Sequence, residues 1–390
     1  MASGSPDERV DLSVQRLLAD ACELTGHTDF GLGFRDNLEA LLDMYGSSAR
    51  YTPRGLKSTR KRLLGLLANR LRIEAAFARH PDIHARRLEA PMYLVGLPRT
   101  GTSALLNLLE LDTSSRPLRY WESQHPDPSP GLEPGQLDPR LAETRALIEQ
   151  AYARNPAFAA IHRVRAEGAE ECVQLLAHTL GSVQMGIEPL ITPYREYFAG
   201  QDQRENYRYY VGLLKLLDWQ RPGQRWLLKS PAHLWALTAI FESFPDACMI
   251  WTHRDPAAVV GSYCSMVEVL STHREAIDPN EIGAAVLEYL GQCVERGMSQ
   301  RRACPADRFV DVHHHEFVAN PLGVVQRVYA AFGLSLDAGA AARMRAEIEL
   351  STANPRSGEH RYSLARYGLN RDQVHGRFRA YMTEFGLLSG

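Results

Sequence analysis

The sequence predicts an α/β protein, a P-loop-type parallel sheet flanked by helices, with an N-terminal helical cap. Three observations carry that expectation. The apolar run Met92-Tyr93-Leu94-Val95 leads through Gly96-Leu97-Pro98-Arg99-Thr100-Gly101-Thr102-Ser103 into a helical pattern, the strand–loop–helix order of a phosphate cradle. From Pro91 onward, short apolar runs alternate with helix-length segments, as in a parallel sheet covered by helices. Residues 1–90 carry apolar stripes at helical spacing and no strand of their own.

In chain order, Val14, Leu17, Leu18, Ala21 and Cys22 mark a first helix, with Asp11 or Ser13 as its N-cap. Leu38, Leu41, Leu42 and Tyr45 mark a second, and Leu63, Leu64, Leu67 and Leu71 a third. Gly26, Gly31, Gly33 and Pro53 punctuate them. Residues 1–90 thus read as a cap on an α/β domain spanning 91–390. Strands are expected at Met92–Val95, Arg225–Leu228, Cys248–Thr252 and Phe309–Val312. The helices that follow them are expected at Thr102–Leu111, Ala232–Phe244, Pro256–Leu270 and Pro321–Phe332. A proline-rich loop from Asp127 to Pro139 precedes a helical insertion over about residues 140–217, and the polar, Arg-rich stretch 352–370 reads as a C-terminal lid segment. Ligands of such sheets bind beyond the carboxyl ends of the strands, where the informative loops all fall.

The composition of the 390 residues, 45% apolar and 23% charged, is that of an ordinary globular protein. A formal charge of −2 exerts no general pull on nucleic acid or anionic membrane. The charge is uneven, with ten Lys and Arg against two acids, Glu74 and Asp82, between Arg54 and Arg87; a solvated helix face explains this more readily than a surface for an acidic partner. No apolar stretch is long enough to span a membrane, and Met1 to Asp7 lack the regions of a signal peptide. Cys22, Cys172, Cys248, Cys264, Cys293 and Cys304 show no paired spacing, so they read as reduced core residues of a cytoplasmic protein. Nothing in the sequence indicates an oligomeric state.

The cradle has the spacing G-x-x-x-x-G-K-[S/T], but Thr102 stands where the lysine belongs. The substitution keeps backbone N–H groups and a helix N-terminus aimed at one anion. It removes the charge that reaches the β- and γ-phosphates of a nucleoside triphosphate. Arg99, inside the loop, can supply charge in its place. Lys229 ends the strand in Trp226-Leu227-Leu228-Lys229-Ser230-Pro231-Ala232-His233 and emerges beside the cradle, where it can neutralise charge growing on a leaving phosphate. In Thr252-His253-Arg254-Asp255-Pro256, Arg254 closes a strand where a metal-binding acid would stand in an NTPase. Asp255-Pro256 reads as an N-cap followed by proline at N1, with a magnesium-ligand role as the lesser alternative. Ser262, about two turns along that helix, can share a phosphate with Arg254.

Together these clusters resemble the sulfotransferases that use 3′-phosphoadenosine 5′-phosphosulfate (PAPS), in particular the bacterial branch related to tyrosylprotein sulfotransferases. Pro98-Arg99-Thr100-Gly101-Thr102-Ser103 is similar to that family's 5′-phosphosulfate loop, and Arg254 with Ser262 to its 3′-phosphate signature. Lys229 is similar to the lysine that bridges towards the transferred sulfuryl group. The resemblance covers most of Pro91 to Leu334, and Gly26-His27-Thr28-Asp29-Phe30-Gly31 also looks like this branch. It implies a PAPS-dependent sulfotransferase that needs no metal and acts on a hydroxyl of a small or lipidic acceptor, with no nucleic-acid partner. For the general base it offers Glu122, in Arg119-Tyr120-Trp121-Glu122, with His233 and His125 as alternatives. A carboxylate paired with Arg119 or Arg116 is the competing role for Glu122. Arg356-Ser357-Gly358 resembles a C-terminal loop that closes on the 3′-phosphate, and Arg361 is a second contact for it.

Two other readings compete: a P-loop kinase or NTPase with a degenerate loop, and a non-catalytic nucleotide-binding protein. His313-His314-His315 reads as a strand end, because consecutive strand residues face opposite sides and cannot chelate together. Glu170 and Glu171 open a helix, where the macrodipole favours acids, and one of them at an acceptor pocket is the lesser alternative.

Overall fold

The computed structural model describes residues 10–47, 51–129, 131–132, 136–154, 156, 164–182, 194–223, 225–271, 274–353 and 363–388. Its centre is a five-stranded sheet in the order β2-β3-β1-β4-β5. The strands are β1 Met92–Gly96, β2 Ser115–Pro117, β3 Arg225–Lys229, β4 Cys248–His253 and β5 Phe309–His313, and every pairing is parallel. Successive side chains of a strand face opposite sides, so each buried strand feeds two cores. Met92 and Leu94 of β1, with Leu227 and Ile250, pack on Leu105, Leu109, Val325 and Val328. Tyr93 and Val95, with Trp226, Leu228, Met249 and Trp251, join a larger core on the other face.

Helices α1 Val14–Thr25, α2 Arg35–Ser47 and α3 Pro53–Arg79 form the N-terminal layer. Their buried Leu17, Leu38, Leu63 and Leu67 share that larger core with Tyr210 and Leu213 of the helix Arg204–Gln220, so cap and body are packed as one. Arg70, buried on α3, ties them further. It donates to the carbonyls of Phe30, Leu32 and His178, and its guanidinium lies 3.9 Å from the Tyr209 ring centroid.

The helices that build the site are α4 Thr102–Leu109, α5 Tyr120–Gln124, α6 Pro139–Arg154, α7 Cys172–Leu176, α8 Pro256–Leu270 and α9 Pro279–Arg301. Two local expectations need correction. The segment expected as one helix from Ala232 to Phe244 is a 3-10 turn, Pro231–Trp235, followed by a separate helix, Leu237–Ser243. The break is stabilised because the Trp235 carbonyl accepts from Arg296 Nε and Gln300 Nε2 of α9, both at 3.1 Å. The strand β2 is the other, three polar or proline-bearing residues at the sheet edge with no apolar run to mark them. No described helix is long and apolar enough to cross a membrane.

Candidate active site

The loop between β1 and α4 is held in a shape that its sequence alone makes possible. Gly96 and Gly101 have φ of 137° and 94°, a region closed to most side chains, and a Cβ on Gly96 would lie 2.6 Å from the Thr252 carbonyl oxygen. Thr100 Oγ1 donates to the Leu97 carbonyl at 2.7 Å and sits 2.6 Å from Thr252 Oγ1, which pins the loop to β4. Arg99 adopts φ 66°, a strained conformation for a residue with a side chain. Two of its contacts hold it there. Arg254 Nη1 donates to the Arg99 carbonyl at 3.0 Å, and Arg99 Nε donates to Ser262 Oγ at 3.0 Å. The loop arginine, the β4 arginine and the serine of α8 therefore form one cluster.

Lys229 lies on the other flank of the loop. Its ammonium is 3% exposed, donates to Ser103 Oγ at 3.0 Å and forms an ion pair with Glu171. Ser103 stands in the first turn of α4, and Glu171 is the N-cap residue of α7. A cation, a hydroxyl and a carboxylate from three elements thus meet at the carboxyl edge of the sheet. Sequence reasoning placed Lys229 and Ser103 there and gave Glu171 the lesser role. Nothing local tells which of two adjacent glutamates turns towards Lys229.

The other sequence-predicted residues fall as follows. Glu122 is 3% exposed and held by Arg116, whose Nη2 donates to Oε1 at 3.0 Å; its Oε2 accepts the Arg119 backbone N–H at 3.1 Å. Arg116 in turn lies 3.9 Å from the Trp226 ring centroid. This is the competing, structural arrangement offered above for Glu122. His233 is fully buried, with Nδ1 2.7 Å from the Tyr207 hydroxyl, and burial pushes its pKa down to about 3. His125 lies beside Arg140 and Asp127, and burial, followed by the Arg140 charge, lowers its pKa. Asp255 caps α8 by accepting from the Ala257 N–H at 2.9 Å, and it also binds Arg371 and His375 at 2.9 Å each. Its oxygens are committed to structure, which leaves the magnesium-ligand alternative without support.

His313 ends β5 and His314 opens the next helix; the His314 ring comes within 3.2 Å of where a Gly101 Cβ would stand, so it borders the loop. Among the described residues no cluster could hold a metal ion. Arg356 and Arg361 lie outside the described residues, as do all of residues 354–362 of the expected lid. Within the described part a short turn, Leu364–Tyr367, docks on α8, where the Tyr367 hydroxyl donates to Glu268 at 2.8 Å.

A parallel sheet whose central strand turns through a glycine loop into a helix, with cations from the two neighbouring strands around that loop, defines an enzyme of the P-loop-type α/β class. The sulfotransferase family matches residues 91–338, and the chain belongs to that family. It is similar to the sulfotransferase STF1 of Mycobacterium tuberculosis, with 32% identity, 95% of this chain and 100% of that one covered, and a TM-score of 0.84. It is also similar to the sulfotransferase STF9 of Mycobacterium avium, with 26% identity, 98% of each chain covered and a TM-score of 0.83. No curated protein matches it.

Proposed function

We propose that this sulfotransferase takes its sulfuryl group from PAPS and transfers it to a hydroxyl of a small or lipidic acceptor by in-line displacement. The observation that supports this most is the division of labour around one loop. The Lys229–Ser103–Glu171 corner flanks one side and the Arg99–Arg254–Ser262 cluster the other. In this reading Arg254 and Ser262 take the 3′-phosphate, with Arg356 and Arg361 as further contributors. The amides of Arg99 to Ser103 and the helix end behind them take the 5′-phosphosulfate. Lys229 faces the bond that breaks and stabilises charge on the departing adenosine 3′,5′-bisphosphate.

Glu171 is the general base of this reading, in preference to Glu122, which Arg116 and the Arg119 N–H hold, to His233, which is buried against the Tyr207 hydroxyl, and to His125, which lies beside Arg140 and Asp127. The acceptor oxygen forms its bond to sulfur while the bond from sulfur to the bridging phosphate oxygen breaks. The acceptor proton passes to Glu171. Before the donor arrives, the Lys229–Glu171 ion pair satisfies both groups; the donor's negative charge then competes for Lys229 and frees the carboxylate.

Calorimetric titration with adenosine 3′,5′-bisphosphate tests the donor. The expected result is binding that Arg254→Ala weakens by roughly 10- to 100-fold, the loss of a charge-assisted hydrogen bond of about 1.5–3 kcal/mol. A wild-type protein that fails to bind this nucleotide overturns the donor assignment.

A further inference from the structure

A cavity of about 560 Å³ opens between α3, α5, α6 and the end of α7. That size is within the range of small-molecule sites. One wall is a single face of α3, where Ser58, Lys61, Gly65 and Asn69 follow one another at spacings of three and four, with Arg62 beside Lys61 and four residues after Ser58. The opposite wall is apolar, from Leu147, Ile148 and Ala151 of α6, and Leu147 is left 60% exposed.

The polar groups of the floor are already satisfied. His178 is buried, with Nδ1 3.0 Å from the Leu175 carbonyl and Nε2 3.2 Å from Asn69 Nδ2, and Asn69 also donates to the Gln124 carbonyl at 2.8 Å. Burial lowers the His178 pKa to about 4, so the ring is neutral at pH 7. The cations are different. Lys61 and Arg62 are exposed, and neither forms a hydrogen bond or ion pair with a described residue. Their neighbour Arg60, by contrast, pairs with Asp20. Two unpaired positive charges over apolar walls and a self-satisfied floor complement a molecule with an apolar body and one anionic group.

At Gln174 the lining of the cavity comes within one helical turn of Glu171. Gln174, which lines it, hydrogen-bonds through its backbone N–H to the Glu171 carbonyl at 3.2 Å. We propose that this cavity binds an anionic amphiphile, and that the acceptor is of this class, its hydroxyl directed to Lys229 and Glu171 and its anionic group to Lys61 and Arg62. The acceptor half of this inference rests on the function proposed above; the binding half does not.

Titration with lithocholate and with its methyl ester tests it, since both carry the same hydroxyl and body and only the first is charged. The acid is expected to bind about tenfold more tightly, a difference of about 1.4 kcal/mol. The Lys61→Gln/Arg62→Gln double variant is expected to abolish that preference while keeping the affinity for adenosine 3′,5′-bisphosphate. A Cβ on Gly65 meets nothing within 4 Å, so Gly65→Trp fits the helix and is expected to block both probes. Equal affinity for acid and ester, or a preference that survives the double variant, overturns the site. Selective binding by a protein that fails to bind the nucleotide leaves the cavity standing and overturns its acceptor role.

Discussion

Glu122 and Glu171 carry the same carboxylate and differ in what holds them. Glu122 is enclosed by Arg116 and the Arg119 backbone, whereas Glu171, among the described residues, has its ion pair with Lys229 of the reaction corner. The two substitutions therefore separate. Glu171→Gln is expected to lower kcat by roughly 10²- to 10⁴-fold in a radiolabelled sulfuryl-transfer assay, with no loss of nucleotide affinity. Glu122→Ala leaves Arg116 as an unpaired buried charge and is expected to cost about 3–5 kcal/mol in urea unfolding. Normal turnover in the Glu171 variant would return the base role to the other candidates. Arg99, Lys229, Arg254 and Ser262 were legible in the sequence because each has a fixed place on a strand end, a loop or a helix turn. The partner of Glu122 was legible only as one of two nearby arginines. The choice between Glu170 and Glu171 is made by tertiary packing around Lys229, which no local pattern records.

At the scale of elements, the strand–loop–helix unit is rigid because β1 and β4 approach closely at its exit. Gly96→Ala combines a φ of 137° with a 2.6 Å approach to the backbone of Thr252. It is expected to push β1 from β4 and abolish nucleotide binding, with a fall in thermal midpoint that calorimetry would register. The four buried strands and the helix Pro256–Leu270 were readable from apolar runs and from the Asp255-Pro256 start signal. The edge strand Ser115–Pro117 was not, since it owes its conformation to pairing with β3. The split after Trp235 was equally hidden, because the groups that satisfy the broken turn arrive from α9.

For the whole molecule, the shared core of cap and body encloses two neutral histidines, His178 and His233, with pKa values lowered by burial to about 4 and about 3. Above pH 6.5 neither the folded nor the unfolded chain protonates them. As pH falls below that value the unfolded chain binds protons that the folded chain refuses, so stability is lost towards pH 4 and below. Each histidine contributes up to about 1.4 kcal/mol per pH unit in that window. Urea midpoints are expected to fall between pH 6.5 and 4, less steeply in His178→Asn; an unchanged slope would assign the loss to other groups. The packing of residues 1–90 into the sheet's own core follows from their apolar stripes, but which face they cover had to be seen.

The grip of Arg371 and His375 on Asp255 has a practical consequence. The capping carboxylate that begins the Pro256–Leu270 helix is clamped by the segment 371–375, and Val374, Phe378, Tyr381 and Phe385 beside it are buried in the larger core, so trimming that segment would blunt donor recognition and open the core together. Anyone shortening this protein there or attaching a reporter to it should expect the trouble to surface in ligand affinity and in solubility alike.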